Sequence, residues 1–123
     1  NHFNVSHDTI IGNNVTISNG ATVGGFCNIG EYCNLGMNSS IHQKTILGAG
    51  CMIGMNTAIR HNVFPFTLAK GEKFGFNLIG AQRFAKEKKL DVRLLAEIFY
   101  EQEKLHSFYN KNESLQQYFK KFI

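Results

Sequence analysis

From Val5 onward an aliphatic side chain returns at every sixth position: Val5, Ile11, Ile17, Val23, Ile29, Leu35, Ile41, Leu47, Ile53 and Ile59. Two residues ahead of each stands a mostly small one (Thr9, Val15, Ala21, Cys27, Cys33, Ser39, Thr45, Cys51, Thr57), with Phe3 the oversized exception at the start. Glycine follows the aliphatic at Gly12, Gly24, Gly30, Gly36, Gly48 and Gly54. A hexad of this kind buries its apolar face only when neighbouring coils stack on it, so the pattern predicts a parallel β-helix, a solenoid. If three hexads close one triangular turn, as in left-handed parallel β-helices, residues one coil apart stack at a strand spacing of about 4.8 Å. Residues 5–63 then make a little over three coils, a prism about 15 Å tall. So small a prism favours self-association, for which a threefold assembly of parallel prisms is the usual solution.

Phe64-Pro65-Phe66 ends the repeat, because the chain's single proline has no N–H for a ladder and restricts the residue before it. Beyond it the period changes. Lys70 to Gly75 reads as a turn, and Phe76 to Lys86 as a helix with Leu78, Ile79, Gln82 and Arg83 on nearby turns. Asp91 suits the N-cap of a second helix carrying Leu94, Leu95, Ile98, Phe99 and Leu105 on one face, and a third runs from about Asn112 to Phe122. The expected fold is therefore mainly β: β-helix coils over residues 1–63, then an exit loop and a C-terminal α-helical region over 64–123 that caps the prism. Phe99, Tyr100, Phe108, Tyr109, Tyr118, Phe119 and Phe122 read as core and inter-subunit packing. The chain starts in phase with the repeat, with a raw strand edge, which suggests the C-terminal portion of a longer protein.

Composition narrows the classes. With 43% hydrophobic residues and 18% charged ones, the chain is ordinary globular material rather than disordered. It has no apolar run of the roughly 18 residues that a membrane span needs and no basic-then-apolar leader, so a cytoplasmic location is the default. All three cysteines occupy the small inward slot, where a thiol acts as a compact apolar filler; neither a disulfide nor a zinc site is expected. The formal charge of +4 lies wholly in the tail: residues 1–63 carry two basic and two acidic groups, residues 64–123 eleven and seven. A solvated helical surface explains this, and it is also compatible with an acidic partner protein. Without tryptophan or an aromatic stripe among basic residues, nucleic-acid binding is not expected.

Read in steps of one coil, the repeat becomes a set of columns. One holds His7, Gly25, Gln43 and His61, flanked by Ser6, Gly24, His42, Arg60 and by Asp8, Phe26, Lys44, Asn62. A histidine one coil below a glycine puts a candidate general base beside a backbone N–H that no side chain obstructs. Those are the two parts acyl transfer needs, proton removal from a hydroxyl and stabilisation of an oxyanion. Asp8 is a candidate to orient the imidazole, but neighbours on a strand point to opposite faces, so the partner comes either at a corner or from another subunit. Polar residues lining a solvent face are the competing explanation for the whole column.

Ser6-His7-Asp8, Ser40-Ile41-His42-Gln43, the segment Asn62-Val63-Phe64-Pro65-Phe66-Thr67-Leu68-Ala69-Lys70-Gly71 and the following Gly75-Phe76-Asn77-Leu78-Ile79-Gly80-Ala81-Gln82-Arg83 resemble the acyl-carrier-protein-dependent UDP-N-acetylglucosamine O-acyltransferases that begin lipid A synthesis. The similarity covers nearly the whole chain, and its proline exit, Ala-Lys-Gly turn and Asn-x-x-Gly-x-x-Arg helix are more specific than the hexads. It implies a homotrimer with active sites between subunits, using a carrier-protein thioester and a UDP-sugar and no cofactor or metal. It also implies His7 as general base, Asp8 as its support and Gly25 as the oxyanion-hole glycine. His42, Gln43, Asn77 and Arg83 match positions lining the acyl-chain and nucleotide-sugar sites. Met55 stands where members with long acyl pockets have a small residue, which implies a shorter acyl chain.

The departures bear on sugar recognition. Phe26 and Asn4 replace histidines common in the family, Ile79 replaces a glutamate, and the turn between Gly71 and Gly75 is about three residues short. Two other activities stay open: an acetyl-CoA-dependent sugar acetyltransferase, and a zinc enzyme like the γ-class carbonic anhydrases, whose interfacial ligand spacing His2 and His7 resemble. A non-catalytic relative kept for assembly is a further reading.

Overall fold

The structure is a computed structural model that describes residues 3–102 and 115–122. Ten two-residue strands carry the repeat: β1 (Asn4–Val5), β2 (Ile10–Ile11), β3 (Thr16–Ile17), β4 (Thr22–Val23), β5 (Asn28–Ile29), β6 (Asn34–Leu35), β7 (Ser40–Ile41), β8 (Ile46–Leu47), β9 (Met52–Ile53) and β10 (Ala58–Ile59). They sort into three sheets, ordered β1-β4-β7-β10, β2-β5-β8 and β3-β6-β9. Each pairing is parallel and links residues one full coil apart, as in Asn4 with Thr22, Ile10 with Asn28 and Thr16 with Asn34. The result is the left-handed parallel β-helix that the hexads predict, followed by a helical region.

The second residue of each strand points inward. Val23, Ile29, Leu35, Ile41, Leu47, Ile53 and Ile59 form the axial core together with the small residues Ala21, Cys27, Cys33 and Cys51. Each cysteine Sγ donates to a carbonyl of the coil above: Cys27 to His42 at 3.1 Å, Cys33 to Gly48 at 3.1 Å and Cys51 to Phe64 at 3.2 Å. All three thiols are free and buried, and burial pushes the Cys33 thiol up. On the first coil Val5 and Ile17 are only partly buried and Ile11 is 39% exposed, since each has a coil on one side alone.

The coil turns at two-residue corners whose second residue is left-handed: Asp8, Asn14, Gly20, Phe26, Tyr32, Asn38, Lys44, Gly50, Asn56 and Phe66 all have positive φ. Asparagine, aspartate and glycine suit that conformation; Phe26, Tyr32 and Phe66 adopt it against preference. The last coil is shorter. Leu47 pairs with Val63 and Ile53 with Ala69, sixteen positions on instead of eighteen, because only Arg60, His61 and Asn62 separate Ile59 from Val63. His61 therefore falls out of the register that stacks Gln43 on Gly25 and Gly25 on His7. Pro65 fits because the next coil offers Gly48, where a Cβ would lie 2.5 Å from the proline ring and nitrogen.

The expected turn at 70–75 is part of a hairpin. Strand β11 (Thr67–Lys70) adds to β9 and folds back antiparallel on β12 (Lys73–Phe76), leaving only Gly71 and Glu72 as the turn. Thr67 and Ala69 are buried while Leu68 and Lys70 face out, an alternation of period two short enough to pass as loop. Because Phe76 is still strand, helix α1 starts later than expected and covers Leu78–Lys88. Helix α2 (Val92–Tyr100) begins at the Asp91 N-cap as expected, with the carboxylate accepting from the Arg93 N–H at 2.9 Å. A one-turn helix α3 (Gln116–Phe119) runs into a 3-10 turn, Lys120–Phe122; the expected start at Asn112, and Leu105, Phe108 and Tyr109, lie outside the described residues.

These helices pack on one corner of the prism. Tyr32, Ala49, Phe66, Phe84, Leu95, Ile98, Leu115 and Phe119 form a second core, in which Phe66 and Phe84 meet edge to face at 5.1 Å. Phe99 and Phe119 thus act as the packing residues expected of them, whereas Tyr100 is 69% exposed. A polar clamp adds to the contact: Tyr32 Oη donates to Glu87 Oε2, and Lys88 Nζ lies 2.9 Å from Glu31 Oε1 and 3.1 Å from Glu87 Oε1. The Tyr32 hydroxyl and Lys88 hold the Glu87 carboxyl below its ordinary range, and Glu31 chiefly raises the Lys88 ammonium.

Candidate functional site

The corners stack into three columns, and the candidate residues are divided among them. The first holds His7-Asp8, Gly25-Phe26 and Gln43-Lys44, joined by hydrogen bonds from Phe26 N–H to the His7 carbonyl (3.3 Å) and from Lys44 N–H to the Gly25 carbonyl (2.9 Å). The second holds Asn13-Asn14, Glu31-Tyr32, Ala49-Gly50 and Pro65-Phe66; the third Asn19-Gly20, Met37-Asn38 and Met55-Asn56.

In the first column the imidazole Nδ1 of His7 lies 2.9 Å from Asp8 Oδ2. Neighbours on an extended strand would diverge, but Asp8 has φ 59°, and this left-handed step turns its side chain toward that of His7. The histidine–aspartate pair thus forms at a corner within one chain. With Asp8 ionised, Nδ1 is the donor and Nε2 keeps its lone pair free to accept a proton.

Gly25 is adjacent. A Cβ placed there would lie 3.4 Å from the His7 carbonyl oxygen, 3.7 Å from Cε1 and 3.9 Å from Nε2, so the bare face of this glycine is turned to the imidazole. No described residue accepts from its N–H. Gly24 differs: a Cβ there would meet the Gln43 nitrogen at 2.6 Å, so that glycine serves coil packing. Phe26 closes the group, its ring perpendicular to the imidazole at 5.4 Å between centroids. The sequence marks Phe26 only as a departure from a family pattern, because the contact depends on the corner's backbone conformation.

His42 and Gln43 are exposed one coil further along, Gln43 directly on the Gly25 corner. The remaining candidates are elsewhere. Asn77 and Arg83 adjoin the second column: Asn77 Nδ2 donates to the Gly50 carbonyl at 2.8 Å, and the exposed Arg83 guanidinium lies 5.2 Å from the Tyr32 ring centroid. Gly80 permits the Asn77 contact, since a Cβ there would sit 2.3 Å from the Gly50 oxygen. Met55 stands on the third column, 60% exposed, above Met37. One chain therefore unites His7, Asp8, Gly25 and Gln43 and keeps Met55, Asn77 and Arg83 apart from them.

A groove of about 630 Å³ that the sequence did not signal runs along β10, with Arg60, His61, Glu72, Phe74 and Phe99 in its walls. His2 lies outside the described residues, and among these no three histidine, cysteine or acidic side chains are grouped to hold a metal ion. No described helix is long and apolar enough to cross a membrane.

Residues 28–60 match the family described as the hexapeptide repeat of succinyl-transferase, which with the coil geometry defines a hexapeptide-repeat β-helix protein. The similarity narrows further. The chain is 50% identical over 91 residues to the acyl-(acyl-carrier-protein)–UDP-N-acetylglucosamine O-acyltransferase of Campylobacter lari, a match covering 72% of this chain and 35% of the relative. It is 46% identical over 103 residues to the protein of that name from Paracidovorax citrulli, covering 80% and 39%. A solved UDP-N-acetylglucosamine acyltransferase superposes with a TM-score of 0.70 at 28% identity, over 80% of this chain and 38% of the other. The acyltransferase of that kind from Campylobacter jejuni gives 0.64 at 34% identity, over 76% and 38%. The chain is thus similar over most of its length to members of this O-acyltransferase family, and it spans little more than a third of the length of the curated relatives it matches.

Proposed function

We propose that the protein transfers a (3-hydroxy)acyl group from an acyl-carrier-protein thioester to the 3-hydroxyl of UDP-N-acetylglucosamine. The observation that carries this reading is the His7–Asp8 pair set against the bare face of Gly25, from whose N–H no described residue accepts. His7 Nε2 takes the proton of the sugar hydroxyl as its oxygen attacks the thioester carbonyl, and the Gly25 N–H receives the developing oxyanion. Collapse of the tetrahedral intermediate breaks the C–S bond, and the imidazolium returns its proton to the departing thiolate. Asp8 stabilises the imidazolium between these steps.

Because Met55, Asn77 and Arg83 stand on other corners, a site that uses them with His7 draws on neighbouring copies. A homotrimer of parallel prisms supplies that geometry. Both substrates place the reaction in the cytoplasm, and the basic tail is complementary to an acidic carrier protein. The exposed Phe26 and Ile79, where the family has polar residues, favour one competitor, a simpler sugar acetyltransferase using acetyl-CoA. Mass-spectrometric transfer assays with carrier-protein thioesters, acetyl-CoA and a panel of UDP-sugars test the reading. Transfer from the carrier protein to UDP-N-acetylglucosamine, lost in His7→Gln, is expected; transfer from acetyl-CoA alone, or full activity in the variant, refutes it.

A further inference from the structure

We propose that Phe26 is a positioning residue that fixes the orientation of the His7 imidazole. The imidazole stands on an outer corner, with 75% of the His7 side chain and 64% of that of Asp8 exposed. Exposed side chains change rotamer on the picosecond to nanosecond scale, and one hydrogen bond to an equally exposed carboxylate restrains only one edge of the ring. Gly25, on a second side, has no side chain to contribute. Among the described residues of the one chain the Phe26 ring is the remaining constraint, perpendicular to the imidazole at 5.4 Å, an arrangement in which the positive edge of one ring meets the negative face of the other.

Two features of Phe26 point away from a role in the core of its own chain. Its φ of 59° is unfavourable for an aromatic residue; the equivalent positions of other corners carry Asn14, Asn38 and Asn56, which suit that conformation, and the exposed Lys44, which adopts it as Phe26 does. Nor does it contribute to either apolar core, its side chain being 56% exposed. Tyr32 and Phe66 break the same local rule, but both are buried under the helices, where packing compensates. At Phe26 the gain is the imidazole. The Phe26 N–H, bonded to the His7 carbonyl at 3.3 Å, ties the two backbones so that the ring contact is made at a defined height.

The kinetic part of this inference rests on His7 acting as the base; the geometric part does not. The test is NMR of the His7 Cε1–H and Cδ2–H resonances, run with transfer kinetics on wild type, Phe26→Leu and Phe26→Tyr. In wild type and Phe26→Tyr the His7 resonances carry the ring-current displacement of a neighbouring aromatic, and in Phe26→Leu they return toward free-histidine positions. Accompanying this, Phe26→Leu lowers kcat by about fivefold to tenfold with KM little changed, and Phe26→Tyr restores it. Thermal stability of Phe26→Asn at or above wild type shows that the fold does not need the ring. Unchanged His7 resonances in Phe26→Leu overturn the inference, as does an unchanged kcat where His7→Gln is inactive. An active His7→Gln instead removes the general-base reading and leaves the resonance shifts to judge the contact alone.

Discussion

A methyl group added at Gly25 separates a structural glycine from a chemical one. Its Cβ would stand 3.4 Å from the His7 carbonyl oxygen and 3.7 to 3.9 Å from the imidazole, ordinary van der Waals contact, and Gly25 is not among the positive-φ glycines. Alanine therefore fits. Restricting the unfolded chain then raises stability by about 0.4–1 kcal/mol. On the proposed mechanism the same methyl, 3.9 Å from Nε2, narrows the space in which the thioester carbonyl has to meet the base, and it is expected to keep the oxyanion away from the N–H that alanine retains. Removing one such donor costs about 10²–10³ in kcat. Gly25→Ala is thus expected to melt at or slightly above the wild-type temperature while transfer falls at least a hundredfold. Calorimetry with a thioester-transfer assay measures both. Gly24→Ala is the control: its Cβ would meet the Gln43 nitrogen at 2.6 Å, and it is expected to lose stability. A Gly25→Ala protein with wild-type turnover would refute the oxyanion reasoning, and one that fails to fold would refute the packing.

Three further outcomes are expected. Gly80→Ala forces a Cβ to 2.3 Å from the Gly50 oxygen and 2.5 Å from Asn77 Nδ2, so it should lose about 1–3 kcal/mol in denaturant titrations. On the proposed reading, in which Met55 borders the acyl path, Met55→Gly should shift the kcat/KM ratio of long to short acyl donors by about tenfold or more, since single methylenes in a pocket are worth that much. The Glu87 carboxyl is held below its ordinary range, so its stabilisation is complete above that range and disappears as pH falls through the lowered value. Glu87→Gln should accordingly be less stable than wild type at neutral pH and nearly equal to it in strong acid, which melting curves across pH will show.

The coils were legible because a period of six leaves little freedom: Ile29 and Leu47 occupy the inward places that counting assigns them. The same counting put Gly25 beside His7, since the stacking step is constant over the first three coils. It failed where the step changes, at the short last coil, and displaced His61 from the column. The Asp8 contact was undecidable from sequence because it depends on a left-handed residue that aspartate tolerates but does not require. The hairpin went unseen for a simpler reason: four residues of alternation, Thr67 to Lys70, carry too little signal against a glycine-containing turn.

The shortened last coil also indicates what lengths the prism can accept. Losing two residues between Ile59 and Val63 leaves Val63 and Ala69 on the inward side, because strand alternation has period two and parity survives an even change. Loss of one residue would have turned every later side chain inside out. Insertions and deletions in this protein should therefore come in pairs or be absorbed wholly within a corner, and a library of corner-length variants screened for folding would show that odd–even rhythm.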